Sequence, residues 1–330
     1  MAKGVIETQK TESQFRSNLL LGLIIVLVLI LGIISLFTGV YDIFNNDGVD
    51  IFLITRVPRT IALMLTGSAM ALSGFVMQLM TQNKFVEPTT TGSIEWAGLG
   101  LVVAYIIFDA PSLVVRMGMA ILFAFLGTLL FFILLSKIKL KSSLIVPIFG
   151  LMLGAIISSI SSFVGLTFNM TQSLEIWFSG SFAPIQRGRY EYLFIILIIT
   201  AIIYFMASRL TVIGLGKDIA TNLGINYSKT ILIGTMMVAL CVGVVSSVVG
   251  NLPFIGLIVP NIVSLYRGDN LRSNLVWVCL LGMIVITTCD IVARVLIMPF
   301  EIPVSLILGI IGSIVFIYLL LKVKRRDSVE

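Results

Sequence analysis

The chain has 330 residues, of which 58% are hydrophobic and only 12% charged, and its formal net charge is +6. This composition excludes an ordinary water-soluble protein of about two domains. The complete lack of histidine excludes His-based catalysis, His-ligated haem and most transition-metal sites. Cys241, Cys279 and Cys289 lie inside apolar runs without CxxC spacing, so we expect them to be packing residues rather than disulfides or metal ligands.

Eight long apolar runs indicate helices that cross a membrane, since about 18 apolar residues are needed to span hydrocarbon. They are residues 19–37, 60–80, 113–135, 144–168, 190–206, 230–250, 275–298 and 302–321. Two weaker segments, 92–108 with Glu95 and 252–266 with two prolines, are counted as spans as well, which makes ten. Because the runs lack the alternation of barrel strands, the sequence predicts an all-α polytopic membrane protein.

The distribution of lysine and arginine predicts the orientation of the chain. With ten spans both termini share one side, and six of the 22 basic residues lie on the other side: Arg56, Arg59, Arg116, Arg187, Arg189 and Arg294. The richer side, which holds every lysine, should be cytoplasmic. We therefore expect cytoplasmic tails over 1–18 and 323–330 and one transmembrane domain over 19–322. The connections are too short for a soluble domain, so any large partner domain must be another chain.

The stretch 209–229, predicted to be cytoplasmic, contains a short amphipathic pattern. Leu215, Ile219 and Leu223 stand at i, i+4 and i+8, and Gly224 follows where a helix would stop. Such a helix is too short to be stable alone. Its apolar edge could dock on a partner or lie on lipid headgroups, and the spacing leaves both open. The GxxxxGK[ST] pattern is absent from this stretch, so ATP binding by that motif is excluded.

The fifth span carries a stripe of small residues. Gly150, Gly154, Ser158 and Ser162 recur every four residues and so share one helix face. A small, weakly polar stripe lets two helices approach closely, and it can also border a water-filled path. On spacing alone, packing is the default interpretation.

Several charged residues lie within or near the predicted hydrocarbon, where an unpaired charge is costly. Asp290 and Arg294 are four residues apart on one helix, which predicts an intrahelical ion pair. Glu95 has no such partner and could line a pathway, neutralise a basic residue on another helix or lie near the cytoplasmic interface. Arg56 and Arg59, together with Arg294, could attract acidic groups of a partner or an anionic solute, or simply anchor the helices at the outer interface.

Short motifs run in order along most of the chain, from about residue 50 to residue 322. They are Arg56-Val-Pro-Arg59-Thr60, Gly67-Ser-Ala-Met-Ala71-Leu-Ser-Gly74 with Gln78, Asn83, Glu87-Pro88, Trp177 with Gly180-Ser181, Leu223-Gly224-Ile225-Asn226, Pro253-Phe-Ile-Gly256-Leu-Ile-Val-Pro260, Asp290 with Arg294, and Glu301-Ile-Pro303. The ordered set resembles the FecCD-type permease subunits of ATP-binding-cassette importers for iron-siderophores, haem and vitamin B12. Two departures, Asn261 in place of a histidine and Glu95-Trp96 in place of small residues, resemble a subgroup that serves catecholate siderophores.

The resemblance implies the architecture of a type II ABC importer permease with ten helices, in the bacterial cytoplasmic membrane. It implies a second permease subunit, identical or related, two cytoplasmic ATPases, an extracytoplasmic solute-binding protein and a ferric-siderophore substrate. The chain itself would be non-catalytic and bind no cofactor, metal or nucleic acid, and the partner subunits would use the ATP.

The resemblance also assigns roles to individual residues. Leu215, Ile219, Leu223 and Gly224 would belong to the loop that couples the permease to the ATPase. Arg56, Arg59 and Arg294 would receive acidic residues of the binding protein. Helices five and ten line the path in such importers, which favours a path role for the stripe in span five: Gly150, Gly154, Ser158 and Ser162.

A different class of function is a secondary, ion-coupled transporter with Glu95 or Asp290 as the coupling acid. Its uptake would be sensitive to ionophores but not to loss of an ATPase. An intramembrane enzyme is disfavoured because the sequence has no histidine and no cluster of acids or thiols.

Overall fold

The computed structural model describes residues 2–39, 48–138 and 144–327, and within these ranges the regular structure is entirely helical. The α-helices are α1 (Ala2–Phe37), α2 (Gly48–Ile51), α3 (Val57–Thr81), α4 (Ser93–Ile107), α5 (Leu113–Leu135), α6 (Ile145–Thr167), α7 (Thr171–Phe178), α8 (Ile195–Ile213), α9 (Lys217–Asn222), α10 (Tyr227–Val248), α11 (Ile255–Arg267), α12 (Leu271–Val295) and α13 (Val304–Asp327). A π-helical turn (Phe52–Arg56) leads into α3, and a 3-10 turn (Tyr190–Phe194) leads into α8. The all-α prediction is confirmed.

Among the described residues, seven helices are long and apolar enough to cross a membrane: Ser17–Phe37, Val49–Thr81, Leu113–Leu135, Ile145–Thr167, Tyr190–Ile213, Tyr227–Val248 and Leu271–Val295. Three shorter apolar helices, Ser93–Ile107, Ile255–Arg267 and Val304–Leu319, lie at the other three predicted positions. The prediction of about ten helices is thus confirmed. The shortest of the ten is α11, whose 13 residues reach about 20 Å, less than the ~30 Å of hydrocarbon.

The centre of the bundle is α3, whose span is buried over 89% of its most apolar window, against 17% for that of α1. It contacts α8, α10, α11 and α12. A Cβ atom on Gly67 would lie 2.5 Å from the carbonyl oxygen of Gly282 on α12, and one on Gly74 would lie 2.0 Å from that of Gly256 on α11. Glycine at these positions therefore lets the helix backbones touch.

The start of α11 is held by the connection between α3 and α4. Phe254 has a left-handed backbone (φ 67°) and precedes α11 without a side-chain cap. Glu87 Oε1 accepts a hydrogen bond from the backbone N–H of Phe254 at 2.9 Å and another from the Thr89 hydroxyl. About two turns later, Asn261 Nδ2 donates to the carbonyl oxygen of Lys84 at 2.8 Å. Glu87 thus supplies from another segment the side-chain hydrogen-bond acceptor that α11 lacks.

Burial sets the ionisation of this capping group. It raises the pKa of the Glu87 carboxyl from 4.5 to about 7, against the hydrogen bonds from Thr89 and from backbone amides, which favour the ionised form. The cap is therefore a carboxyl group whose charge is sensitive to pH near neutrality.

Candidate functional site

Two of the three arginines proposed for docking hold the carboxyl end of α1. Arg56 Nη1 donates to the carbonyl oxygen of Leu36 at 3.2 Å, and Arg294 Nη1 donates to those of Ser35 and Thr38 at 3.0 and 2.8 Å. The last turn of a helix has carbonyl oxygens without partners and a partial negative charge. The two guanidinium groups donate hydrogen bonds to these oxygens and place positive charge at this helix end, so they hold α1 against α3 and α12.

The third arginine, Arg59, joins two acids. Its Nη2 lies 2.7 Å from Asp290 Oδ1, and its Nη1 donates to both carboxylate oxygens of Glu301, at 3.0 and 2.8 Å. Asp290 Oδ2 lies 2.7 Å from Arg294 Nη2. Arg59, Asp290, Arg294 and Glu301 thus form one neutral cluster of two cations and two anions, which we call the ion-pair cluster.

The ion-pair cluster confirms the predicted pair between Asp290 and Arg294. The link from Arg59 to both acids was missed, because it joins residues more than 200 positions apart. Only 4% of the Arg294 side chain and 12% of that of Arg59 are exposed, and Arg56 is buried. The role of the three arginines in docking a binding protein stays a prediction. Of the three, Arg59 reaches the surface furthest.

The small-residue stripe on α6 divides into two parts. Gly150 and Gly154 are buried against the segment that opens α4: a Cβ on Gly150 would lie 2.1 Å from the carbonyl oxygen of Thr90, and one on Gly154 would lie 3.2 Å from the Cα of Gly92. The glycines therefore permit close packing, which was the default interpretation. Ser158 is partly exposed and Ser162 is exposed. The exposure of the two serines is compatible with the predicted role in lining the path, whereas the buried glycines have no exposed surface for it. The path role stays a prediction.

Glu95 lies beside the glycine half of this stripe. A Cβ on Gly154 would lie 3.3 Å from Glu95 Oε2. That oxygen is buried and has no hydrogen-bond partner, and the ion pairs among the described residues do not include Glu95. The next residue, Trp96, points to α5, where its indole ring fills the space over Gly127 and lies 6.5 Å from the ring of Phe123. Trp96 therefore fixes the rotation of α4 that directs Glu95 towards α6.

The stretch predicted to couple to an ATPase forms a short helix with an exposed apolar edge. The helix is α9, of six residues, and it begins after Gly216, whose φ of 110° interrupts the pattern just beyond Leu215. Gly224 has a φ of 76°, as expected where a helix stops. Leu215, Ile219 and Leu223 are 58%, 47% and 63% exposed. The helix is shorter than predicted, its apolar edge is free, and its coupling role stays a prediction.

A cavity lies behind this edge. It has a volume of about 360 Å³ and is lined on one side by Gly214 and Leu215 and on the other by the end of α3. Lys84 and Asp269, an exposed ion pair at 3.2 Å, also line it. The cavity therefore separates part of the segment before α9 from the end of α3.

Known proteins are similar to this chain in sequence and in fold. The chain is 63% identical over 303 residues to the petrobactin import system permease protein FatD of Bacillus anthracis, a match that covers 92% of this chain and 90% of that protein. It is 39% identical to the petrobactin import system permease protein YclN of Bacillus subtilis, over 91% of this chain and 97% of that one.

A solved structure, described as an inward-facing conformation of a metal-chelate type ABC transporter, superposes with a TM-score of 0.78 at 25% identity. The superposition covers 92% of this chain and 99% of the other. Residues 19–322 match the FecCD transport family. With that match and these relatives, the chain belongs to the FecCD transport family.

Proposed function

We propose that this chain is the membrane-spanning permease subunit of an ATP-driven importer that moves a ferric siderophore across the cytoplasmic membrane by alternating access. The observation that carries the proposal is the 63% identity, over 92% of the chain, to a petrobactin import permease. A further relative, 38% identical, is the ferric-anguibactin transport system permease protein of Vibrio anguillarum. Petrobactin is therefore the first cargo to test.

ATP binding and hydrolysis belong to two separate cytoplasmic subunits in this proposal, and the chain binds no cofactor. The exposed edge of Leu215, Ile219 and Leu223 suits an apolar contact with such a subunit, because a six-residue helix needs external packing to persist. The cavity behind Leu215 supports this proposal, since it leaves room for the edge to shift when the partner moves.

The other partners are a second permease subunit and an extracytoplasmic binding protein. We place the second subunit against the exposed faces of α6 and α13, where Phe163 is 71% and Ile314 64% exposed, with the path between the two copies. The binding protein docks at the end of the bundle that holds the ion-pair cluster, with Arg59 as the arginine nearest its surface. Both termini then face the cytoplasm.

Ion-coupled transport is less well supported by the geometry. Asp290, one of the two acids that such a mechanism could use, is buried between Arg59 and Arg294 at 2.7 Å each, so its charge is already neutralised. A coupling ion would have to displace a guanidinium group that is held in place by several other contacts.

The test is reconstitution of the complete importer in liposomes, with radioactive iron in ferric petrobactin as the cargo. We expect uptake that requires ATP and is abolished when the catalytic glutamate of the partner ATPase is replaced by glutamine. The proposal would be refuted by full uptake with the inactive ATPase, or by uptake that follows an imposed proton or sodium gradient without nucleotide.

A further inference from the structure

The carboxyl group of Glu95 is an acid that the described part of the chain leaves without a partner of opposite charge. Its Oε2 is buried and accepts no hydrogen bond, and the described part of the chain provides no basic side chain to pair with it. Glu95 lies in the first turn of α4, where the helix dipole offsets part of the cost of the charge. An acid without a partner inside an apolar helix bundle is costly, which is why such residues line pathways or bind ligands.

The neighbours of Glu95 differ between its two sides, with a bulky indole towards α5 and small residues on α6. Trp96 is packed over Gly127, which holds α4 in the rotation that turns Glu95 towards α6. On α6 the residue beside the carboxylate is Gly154, without a side chain, and one and two turns further along the same face come Ser158 and Ser162. The hydroxyl groups of Ser158 and Ser162, of which Ser162 is exposed, therefore lie on the same face of α6 as the contact with Glu95.

Charge decides which ligand group Glu95 and the two serines would take. A lone carboxylate repels the deprotonated oxygens that bind iron in a siderophore, so the iron-binding part of the cargo is not its partner. A bare metal ion needs several ligands, and the described residues contain no group of three or more His, Cys, Asp or Glu side chains. A protonated amine needs one carboxylate and a few hydroxyl or carbonyl oxygens, which Glu95 and the two serines provide.

We propose that Glu95 is a cargo-binding residue that pairs with a protonated amine on the siderophore, with Ser158 and Ser162 along its approach. The proposal rests on the proposed function as a siderophore permease and adds the chemical class of substrate that this permease selects. It gives Trp96 the role of a positioning residue, because the indole ring touches α5 and acts on the cargo only through Glu95.

The test uses the complete importer in liposomes and two ferric siderophores that differ only in one pendant amine, free in one and acetylated in the other. We expect Glu95→Gln to lower uptake of the free-amine chelate about tenfold or more, since a charge-assisted hydrogen bond is worth on the order of one decade in affinity. Uptake of the acetylated chelate should stay within about twofold. Glu95→Asp should keep part of the preference for the amine.

A matched control is Glu175→Gln, the same chemical change at an exposed acid on α7, which should alter neither uptake. If Glu95→Gln lowers the uptake of both chelates equally, Glu95 has a structural role and the proposal is overturned. The proposal is also overturned if Glu95→Gln takes up each chelate as well as the wild type does. If the wild type moves neither chelate with ATP, the importer function fails, and the inference fails with it. ATP hydrolysis stimulated by the acetylated chelate confirms that each variant is folded and coupled.

Discussion

Replacement of Asp290 by asparagine should destabilise the bundle, because it removes one of the two anions from the ion-pair cluster. Asp290 is fully buried and lies 2.7 Å from both Arg59 and Arg294. Asparagine has nearly the same shape, so the change removes charge without creating a cavity. The two guanidinium groups would then face each other with one carboxylate, Glu301, between them and the surface.

The expected loss of stability depends on which hydrogen-bond acceptors Arg59 and Arg294 keep in the variant. Loss of one partner of a buried ion pair costs about 3–5 kcal/mol. Arg59 retains Glu301, and Arg294 retains the carbonyl oxygens at the end of α1, so the low end, about 3 kcal/mol, applies. With an unfolding entropy of about 2.1 cal/mol/K per residue, or roughly 0.7 kcal/mol/K for the chain, this corresponds to a fall in Tm of about 4 °C.

Thermal unfolding of the purified protein in mild detergent, followed by tryptophan fluorescence, measures this effect. Glu301→Gln is the matched control, since it removes the other carboxylate from Arg59 at a side chain that is 32% exposed, and an exposed pair contributes only about 0–1 kcal/mol. In a double-mutant cycle, Asp290→Asn with Arg294→Gln should cost less than the sum of the two single changes. A Tm for Asp290→Asn within one degree of the wild type, or additive behaviour in the cycle, would contradict the reasoning.

Three further changes test other parts of the structure. Ile219→Asp should abolish ATP-driven uptake with no change in Tm, because the side chain is exposed on the free edge of α9; normal uptake would remove its coupling role. Gly74→Ala should lower Tm, because its Cβ would lie 2.0 Å from the carbonyl oxygen of Gly256 and overpacking costs about 1–3 kcal/mol. Gly118→Ala is the control and should leave Tm unchanged, because a Cβ at Gly118 would have no atom within 4 Å. Burial raises the pKa of Glu87 from 4.5 to about 7. The contribution of Glu87 to the free energy of unfolding is therefore present below pH 4.5 and is lost as the pH rises through about 7. Glu87→Gln cannot ionise, so its stability, measured beside that of the wild type over this pH range, should not show this decrease.

The positions of the helices could be predicted from the sequence because they follow from composition. A long apolar run has to form its backbone hydrogen bonds internally in lipid, so its length alone indicates a helix. Glycine at 224 likewise marks a helix end through its own backbone conformation. The predicted helix bounds are less accurate where a residue with positive φ sets the start of a helix. Gly216 makes α9 begin later than predicted, and Phe254 does the same for α11.

Contacts between distant segments could not be predicted from one sequence. Nothing in the spacing of Arg59 or Glu301 indicates that they meet, because their approach depends on how α3 and α12 pack through Gly67 and Gly282. The cap supplied by Glu87 did leave a signal. The segment before α11 reads Leu-Pro-Phe, with no Ser, Thr, Asp or Asn to accept the first backbone N–H groups, so an acceptor from elsewhere was required.

The polar groups of this chain fall into two kinds, and the distinction bears on function. Arg59, Asp290 and Arg294 have their charges matched by one another and by Glu301, and that matching explains their burial without any ligand. Glu95 has no partner of opposite charge among the described residues, and its place in the first turn of α4 offsets only part of the cost of a charge there. In a medium where an unpaired charge is so costly, an acid with no internal partner is better evidence for a binding site than an acid in a complete ion pair.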